Sequence, residues 1–150
     1  MQDNPPDIAA ALQRLVTFFE KLQPGDLSAL GQLYASQASF KDPFNEVQGL
    51  AAIQHIFADM FEVLDQPHFV VTTQLVQGHQ CFLLWDFRFR FKRHQPEVWQ
   101  NIRGCTHLDL DAQGLVISHR DYWDAAEELY EKLPVIGSLM RWLKRRARAA

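Results

Sequence analysis

His119 and Asp121 stand two residues apart in the run Leu115-Val-Ile-Ser-His-Arg-Asp-Tyr-Trp123, a spacing that can carry chemistry. In an extended strand alternate side chains share a face, so an imidazole and a carboxylate would sit side by side, their Cα atoms about 7 Å apart. Such a pair can transfer a proton, the carboxylate orienting the imidazole. The same carboxylate could instead be neutralised by Arg103 or Arg120, and the histidine could be bonded to a core carbonyl. An inward carboxylate in apolar surroundings is costly unless paired or protonated, which makes the pair a candidate site. A second carboxylate, Asp42, precedes Pro43. At a pocket mouth it could serve as a general base; as a turn residue it would accept nearby backbone N–H groups.

The elements that must position these groups are legible in the periodicity. In Cys81–Lys92, the residues Cys81, Leu83, Trp85, Phe87, Phe89 and Phe91 fall on one side, while Asp86, Arg88, Arg90 and Lys92 fall on the other. This is a strand with one apolar face, and its aromatic row demands a cover. Upstream, Asp7 can cap a helix with the stripe Ile8, Ala11, Leu12, Leu15, Phe18, Phe19 and Leu22. Pro24-Gly25 stops it, and Asp26 opens a shorter helix with Leu27, Leu30, Leu33 and Tyr34 on its apolar side. Ala38–Asp42 is a short extended piece, and a third helix carries Ile53, Ile56, Phe57, Met60 and Leu64. After Pro67 the period changes to two, predicting strands over Phe69–Gln77, Cys81–Lys92, Val98–Leu110 and Leu115–Trp123. Their short connections imply antiparallel neighbours. Asp124 can cap a helix through Ala125–Leu133, with a further segment from Pro134. Helices followed by a meander make an α+β fold with the helices on one face.

With 150 residues, 47% of them hydrophobic, the chain has the material for one domain with a real core. A net charge of −3 supplies no basic field for nucleic acid. The charge is uneven: Arg141, Lys144, Arg145, Arg146 and Arg148 give the last ten residues +5, leaving −8 elsewhere. With Ile136, Leu139, Met140, Leu143 and Ala147 on the other side, that segment is either a helix docked on the domain or a dimer mate, or an interfacial helix touching anionic lipid. Cys81 and Cys105 lie on opposite faces of their strands and should remain free thiols, which suits a reducing compartment. The N-terminus reads as neither signal peptide nor membrane helix, so the expected location is cytoplasmic. His55, His68, His79, His94 and His107 show no metal-ligand spacing, and neither metal nor cofactor is expected.

Three runs together resemble a known family: Gly25-Asp26-Leu-Ser-Ala-Leu-Gly-Gln-Leu-Tyr34-Ala35, Ala38-Ser-Phe-Lys-Asp42-Pro43 and Gly49-Leu-Ala-Ala-Ile53. They are similar to the NTF2-like superfamily, in its SnoaL-like and ketosteroid-isomerase-like branch, over roughly residues 8–128. The resemblance implies a cone: three N-terminal helices on a curved, mostly antiparallel sheet, with C-terminal helices added. It also places His119, Asp121 and the rest of their parity inside, and implies homodimers formed through the sheet. Asp42-Pro43 matches the general base of ketosteroid isomerases, but Phe18 and Phe57 stand where that family has tyrosines and Thr106 where it has an oxyanion aspartate. Without those donors an enolate oxygen is unsupported, so this is not a standard ketosteroid isomerase. Asp121 looks like the working aspartate of SnoaL-type cyclases, and Ser118–Asp124 resembles a recurrent SnoaL-like signature.

The expected organisation is a SnoaL-like domain over residues 1–132, extended by a basic amphipathic helix over 133–150. Its pocket should take a small hydrophobic molecule, with Phe18, Phe57, Trp85, Phe87, Phe89, Ile102, Thr106 and Trp123 as lining and Asp42, Asp121 and His119 as acid–base groups. Three functions fit: a cofactor-independent isomerase, cyclase or hydratase; a non-catalytic small-molecule-binding or dimeric interaction domain; and a peripheral membrane adaptor.

Overall fold

A computed structural model describes residues 6–129 and 134–147. Asp7 caps α1 (Ile8–Glu20), its Oδ1 accepting the Ala10 N–H at 3.0 Å. α1 buries Ala11, Leu12, Leu15, Val16 and Phe19. The segment after Pro24 is a 3-10 helix (Pro24–Gln32) and ends before Tyr34. The spacing predicts a helix with Tyr34 on its apolar side; sheet pairing overrides it. The Val116 N–H donates to the Leu33 carbonyl at 2.8 Å, drawing the chain into the sheet, so Tyr34 opens β1 (Tyr34–Lys41).

The short β2 (Glu46–Gln48) leads to α2 (Leu50–Val63), which buries Ile53 and Phe57. β3 (Leu64–Gln77) begins at Leu64 rather than Phe69. Leu64 and Asp65 already pair with Phe91 and Arg90, and an irregularity at Gln66, with φ of 50°, carries the strand past Pro67. β4 (Gln80–Phe91), β5 (Gln100–Leu110) and β6 (Val116–Tyr122) follow. The short α3 (Ala125–Glu128) is capped by Asp124, and α4 spans Pro134–Ala147. The rest of the predicted helix to Leu133, the boundary at 132–133 and Arg148 lie outside the described residues, as does the side chain of Lys144.

The sheet order is β2-β1-β6-β5-β4-β3. Only the β1–β6 pairing is parallel; the other neighbours are antiparallel. The architecture is the expected α+β one, with helices against one face of a curved sheet. β4 keeps its alternation: Cys81, Leu83, Trp85 and Phe89 are buried, while Phe82, Leu84 and Arg88 are exposed. Cys105 is half-buried between the exposed Leu84 and Tyr122 on the outer face, and both cysteines are free.

β6 departs from simple parity. Asp109 pairs with Ser118 but Leu110 pairs with Val116, so Ile117 is an extra, bulged residue. Val116 is therefore buried and Ile117 exposed, the reverse of what strict alternation predicts, while His119 and Asp121 keep their inward face. Arg90, from the charged side of β4, pairs with Asp65 of its own chain. On α4, Leu139, Trp142 and Leu143 are exposed and the Arg146 guanidinium lies over the Trp142 ring. Among the described residues no helix is long and apolar enough to cross a membrane.

Candidate functional site

The site is built outward from the pairing of Trp85 with Gly104 across β4 and β5. The indole lies directly over Gly104, where a Cβ would come within 2.3 Å of the ring, so only glycine leaves room. In that position Trp85 Nε1–H donates to Thr106 Oγ1 at 2.8 Å. Thr106 in turn donates to Oδ1 of Asp121, its cross-strand partner, at 2.6 Å. His119 Nε2 reaches the same oxygen at 2.8 Å, and His119 Nδ1 lies 2.6 Å from the Tyr34 hydroxyl. Side chains from β4, β5, β6 and β1 thus form one unbroken hydrogen-bonded line.

Its proton positions follow from the partners. Tyr34 is 1% exposed. Burial, and then the charge of Asp121, push its ionisation well above the usual tyrosine range. Tyr34 therefore donates, His119 accepts on Nδ1, and the imidazole proton on Nε2 points at Asp121. The ring is held by Phe40, Tyr34 and Phe19, with centroids 4.7, 6.0 and 6.2 Å away.

Asp121 Oδ1 receives two hydrogen bonds; among the described residues Oδ2 receives none. Neither arginine neutralises it. Arg103 binds Glu128 through Nε at 2.9 Å, and Arg120 lies over the Tyr122 ring. Asp121 borders an inner hollow, an outer one and a surface groove that also holds Lys41 and Arg120. The inner one, about 30 Å³, has room for one water-sized molecule among Leu15, Phe19 and Leu83. The outer one, about 360 Å³, opens between α2, the turn at Asp42–Asn45 and Trp123, where Phe44 meets Trp123 edge-on at 5.5 Å.

Asp42 also lines the outer cavity, so both aspartates face one hollow. Its carboxylate is engaged by its own turn: Oδ1 accepts the N–H groups of Phe44 and Asn45 at 2.8 and 2.6 Å, and the Asn45 amide reaches both oxygens at 3.1 Å. Phe57 and Trp85 line both hollows, Thr106 the inner one, and Phe87, Phe89, Ile102 and Trp123 the outer one. Phe18 packs edge-on against Phe19 at 5.5 Å, and it is Phe19 that lines the inner cavity. Sequence reasoning did not find Tyr34, whose signal was a buried hydroxyl needing a polar partner in the core. It also did not assign Phe40 and Phe69 to the lining.

Comparison with known proteins places this geometry. The family model described as the SnoaL-like domain matches residues 15–119, more than half of the chain. A search of curated proteins finds none with significant similarity. Among solved structures, a protein of ketosteroid-isomerase-like fold from Catenulispora acidiphila, in complex with trimethylamine, is similar with a TM-score of 0.67 at 18% identity, covering 84% of this chain and 92% of its own. A protein proposed to be a SnoaL-like polyketide cyclase, from Jannaschia, has a TM-score of 0.69 at 18% identity, with 85% and 94% covered. An LEH-like epoxide hydrolase of M. tuberculosis has a TM-score of 0.69 at 14% identity, with 93% and 99% covered. At these identities the likeness is one of fold.

Proposed function

The chain belongs to the SnoaL-like domain family, and we propose that its cavity binds a small, mostly apolar organic molecule and moves a proton on it through Asp121. The observation that carries this reading is the state of one carboxylate. Asp121 borders an apolar cavity with neither Arg103 nor Arg120 paired to it, its Oδ1 engaged by Thr106 and His119 and its Oδ2 without a hydrogen bond among the described residues. In this reading Oδ2 takes a proton from a carbon acid or a cavity-bound water and returns it to another atom of the substrate. Isomerisation, cyclisation and addition of water all share that exchange. Thr106 and His119 hold the carboxylate in place, and Trp85 and Tyr34 position those two donors. Asp42, engaged by its own turn, shapes the cavity mouth in this reading. The names of the structural neighbours, cyclase and epoxide hydrolase, denote reactions on small organic molecules of this kind.

The test works whatever the product is. A panel of small apolar ketones and epoxides is incubated with the protein in D₂O or H₂¹⁸O, and isotope incorporation is read by mass spectrometry. Incorporation that Asp121→Asn abolishes and Asp42→Asn retains supports the assignment. Equal incorporation with wild-type protein and Asp121→Asn overturns it.

We also propose that two copies pair through the outer face of the sheet. Leu75 on β3, Phe82 and Leu84 on β4 and Tyr122 on β6 are exposed there, with Cys105 of β5 between Leu84 and Tyr122, an apolar set of the kind that marks interfaces.

A further inference from the structure

The outer cavity is walled by rings and carboxylates, and among the described residues no positive side chain lines it. Phe44, Trp85, Phe87, Phe89, Phe91 and Trp123 contribute aromatic surface. The acids are Asp42, Asp59 and Asp121. Asp42 is occupied by its turn and Asp59 pairs with His55 at 3.4 Å, so the carboxylate that a deep ligand meets is Asp121. Lys41 and Arg120 line an adjoining groove that Asp42 and Asp121 also border, and both are engaged elsewhere: Lys41 pairs with Glu46 at 3.4 Å and Arg120 covers Tyr122.

Each class of ligand meets this wall differently. An anion would face the negative faces of the rings and a carboxylate, with nothing to offset its desolvation. A neutral hydrocarbon would satisfy the rings and leave Asp121 Oδ2 without a partner. A compact organic cation matches both surfaces, since its alkylated head can lie against the rings while its charge faces the carboxylate.

We infer that the cavity selects a small organic cation, an alkylated ammonium with an apolar body, over neutral and anionic molecules of the same shape. This rests on the cavity being the ligand site and adds the charge of its occupant.

Three probes of near-identical shape separate the classes: choline, its neutral carbon isostere 3,3-dimethylbutan-1-ol, and the anion 3,3-dimethylbutanoate. Binding to the full chain is followed by calorimetry. Choline should bind at least about tenfold more tightly than the alcohol, with the anion weakest. Asp121→Asn should bring choline to within about twofold of the alcohol. Phe87→Leu, which keeps an apolar side chain but removes a ring, should weaken choline about threefold or more beyond its effect on the alcohol. Should Asp121→Asn fail to fold, the Phe87 variant decides alone. Equal affinity for choline and the alcohol overturns the charge assignment and leaves the cavity as the ligand site. Binding of none of the three also overturns it, and the isotope panel then judges the cavity independently.

Discussion

The Tyr34 hydroxyl lies 2.6 Å from His119 Nδ1, although 85 residues separate them along the chain. The parallel pairing of β1 with β6 creates this contact, setting Tyr34 beside Val116 and Phe40 beside His119. The imidazole is thereby fixed between a phenol donor on one side and a carboxylate on the other.

That arrangement predicts the tautomer. Side-chain ¹⁵N spectra of His119 should show the proton on Nε2 and an unprotonated Nδ1; a proton on Nδ1 would contradict the assigned direction of the line. Tyr34→Phe leaves a buried ring nitrogen unsatisfied and should cost about 1–3 kcal/mol in urea unfolding.

Alkaline stability offers an independent check on Tyr34. Its ionisation is raised in the folded state, so its contribution is complete below the ordinary tyrosine value of about 10 and is lost as pH rises from there towards the folded value. The urea midpoint of the wild type should therefore fall more steeply above about pH 10 than that of Tyr34→Phe. Parallel pH profiles for the two proteins would show that Tyr34 is not held neutral by burial.

Gly104 tests the foundation of the site. Gly104→Ala forces a Cβ into the Trp85 ring and should cost about 1–3 kcal/mol or more. The indole N–H resonance of Trp85 should shift as its bond to Thr106 is lost. An unchanged resonance and unchanged stability would mean that the indole does not lie where the site requires it.

The fold was readable because its signals are local. A period of two runs through Cys81–Lys92, and Asp7 caps a helix whose buried stripe is nearly the one that spacing gives. The pairing of His119 with Asp121 also followed from spacing on one strand, and survived because the bulge at Ile117 falls before both residues. What spacing could not supply was Tyr34. Its position on an apparent helical stripe concealed its place in the sheet, which depends on the parallel pairing with a strand late in the chain. The side on which the Asp42 carboxylate is engaged depended on the turn made by Phe44 and Asn45, where two backbone amides and a side-chain amide converge.

Pairing of two copies through the outer face predicts a concentration-dependent dimer. Leu84→Arg, at an exposed position between Thr73 and Cys105, should produce monomers in analytical ultracentrifugation without lowering the urea midpoint. A wild-type protein that stays monomeric at high micromolar concentration would remove the proposal.

The most direct test of the central claim is a crystal structure of the protein with a molecule in its outer cavity, whether copurified or added. The account predicts a polar or charged atom of that molecule within hydrogen-bond or ion-pair distance of Asp121 Oδ2, with Oδ1 still bonded to Thr106 and His119. A molecule seated with only apolar atoms near Asp121, or an Asp121 turned away to bond an arginine, would contradict it.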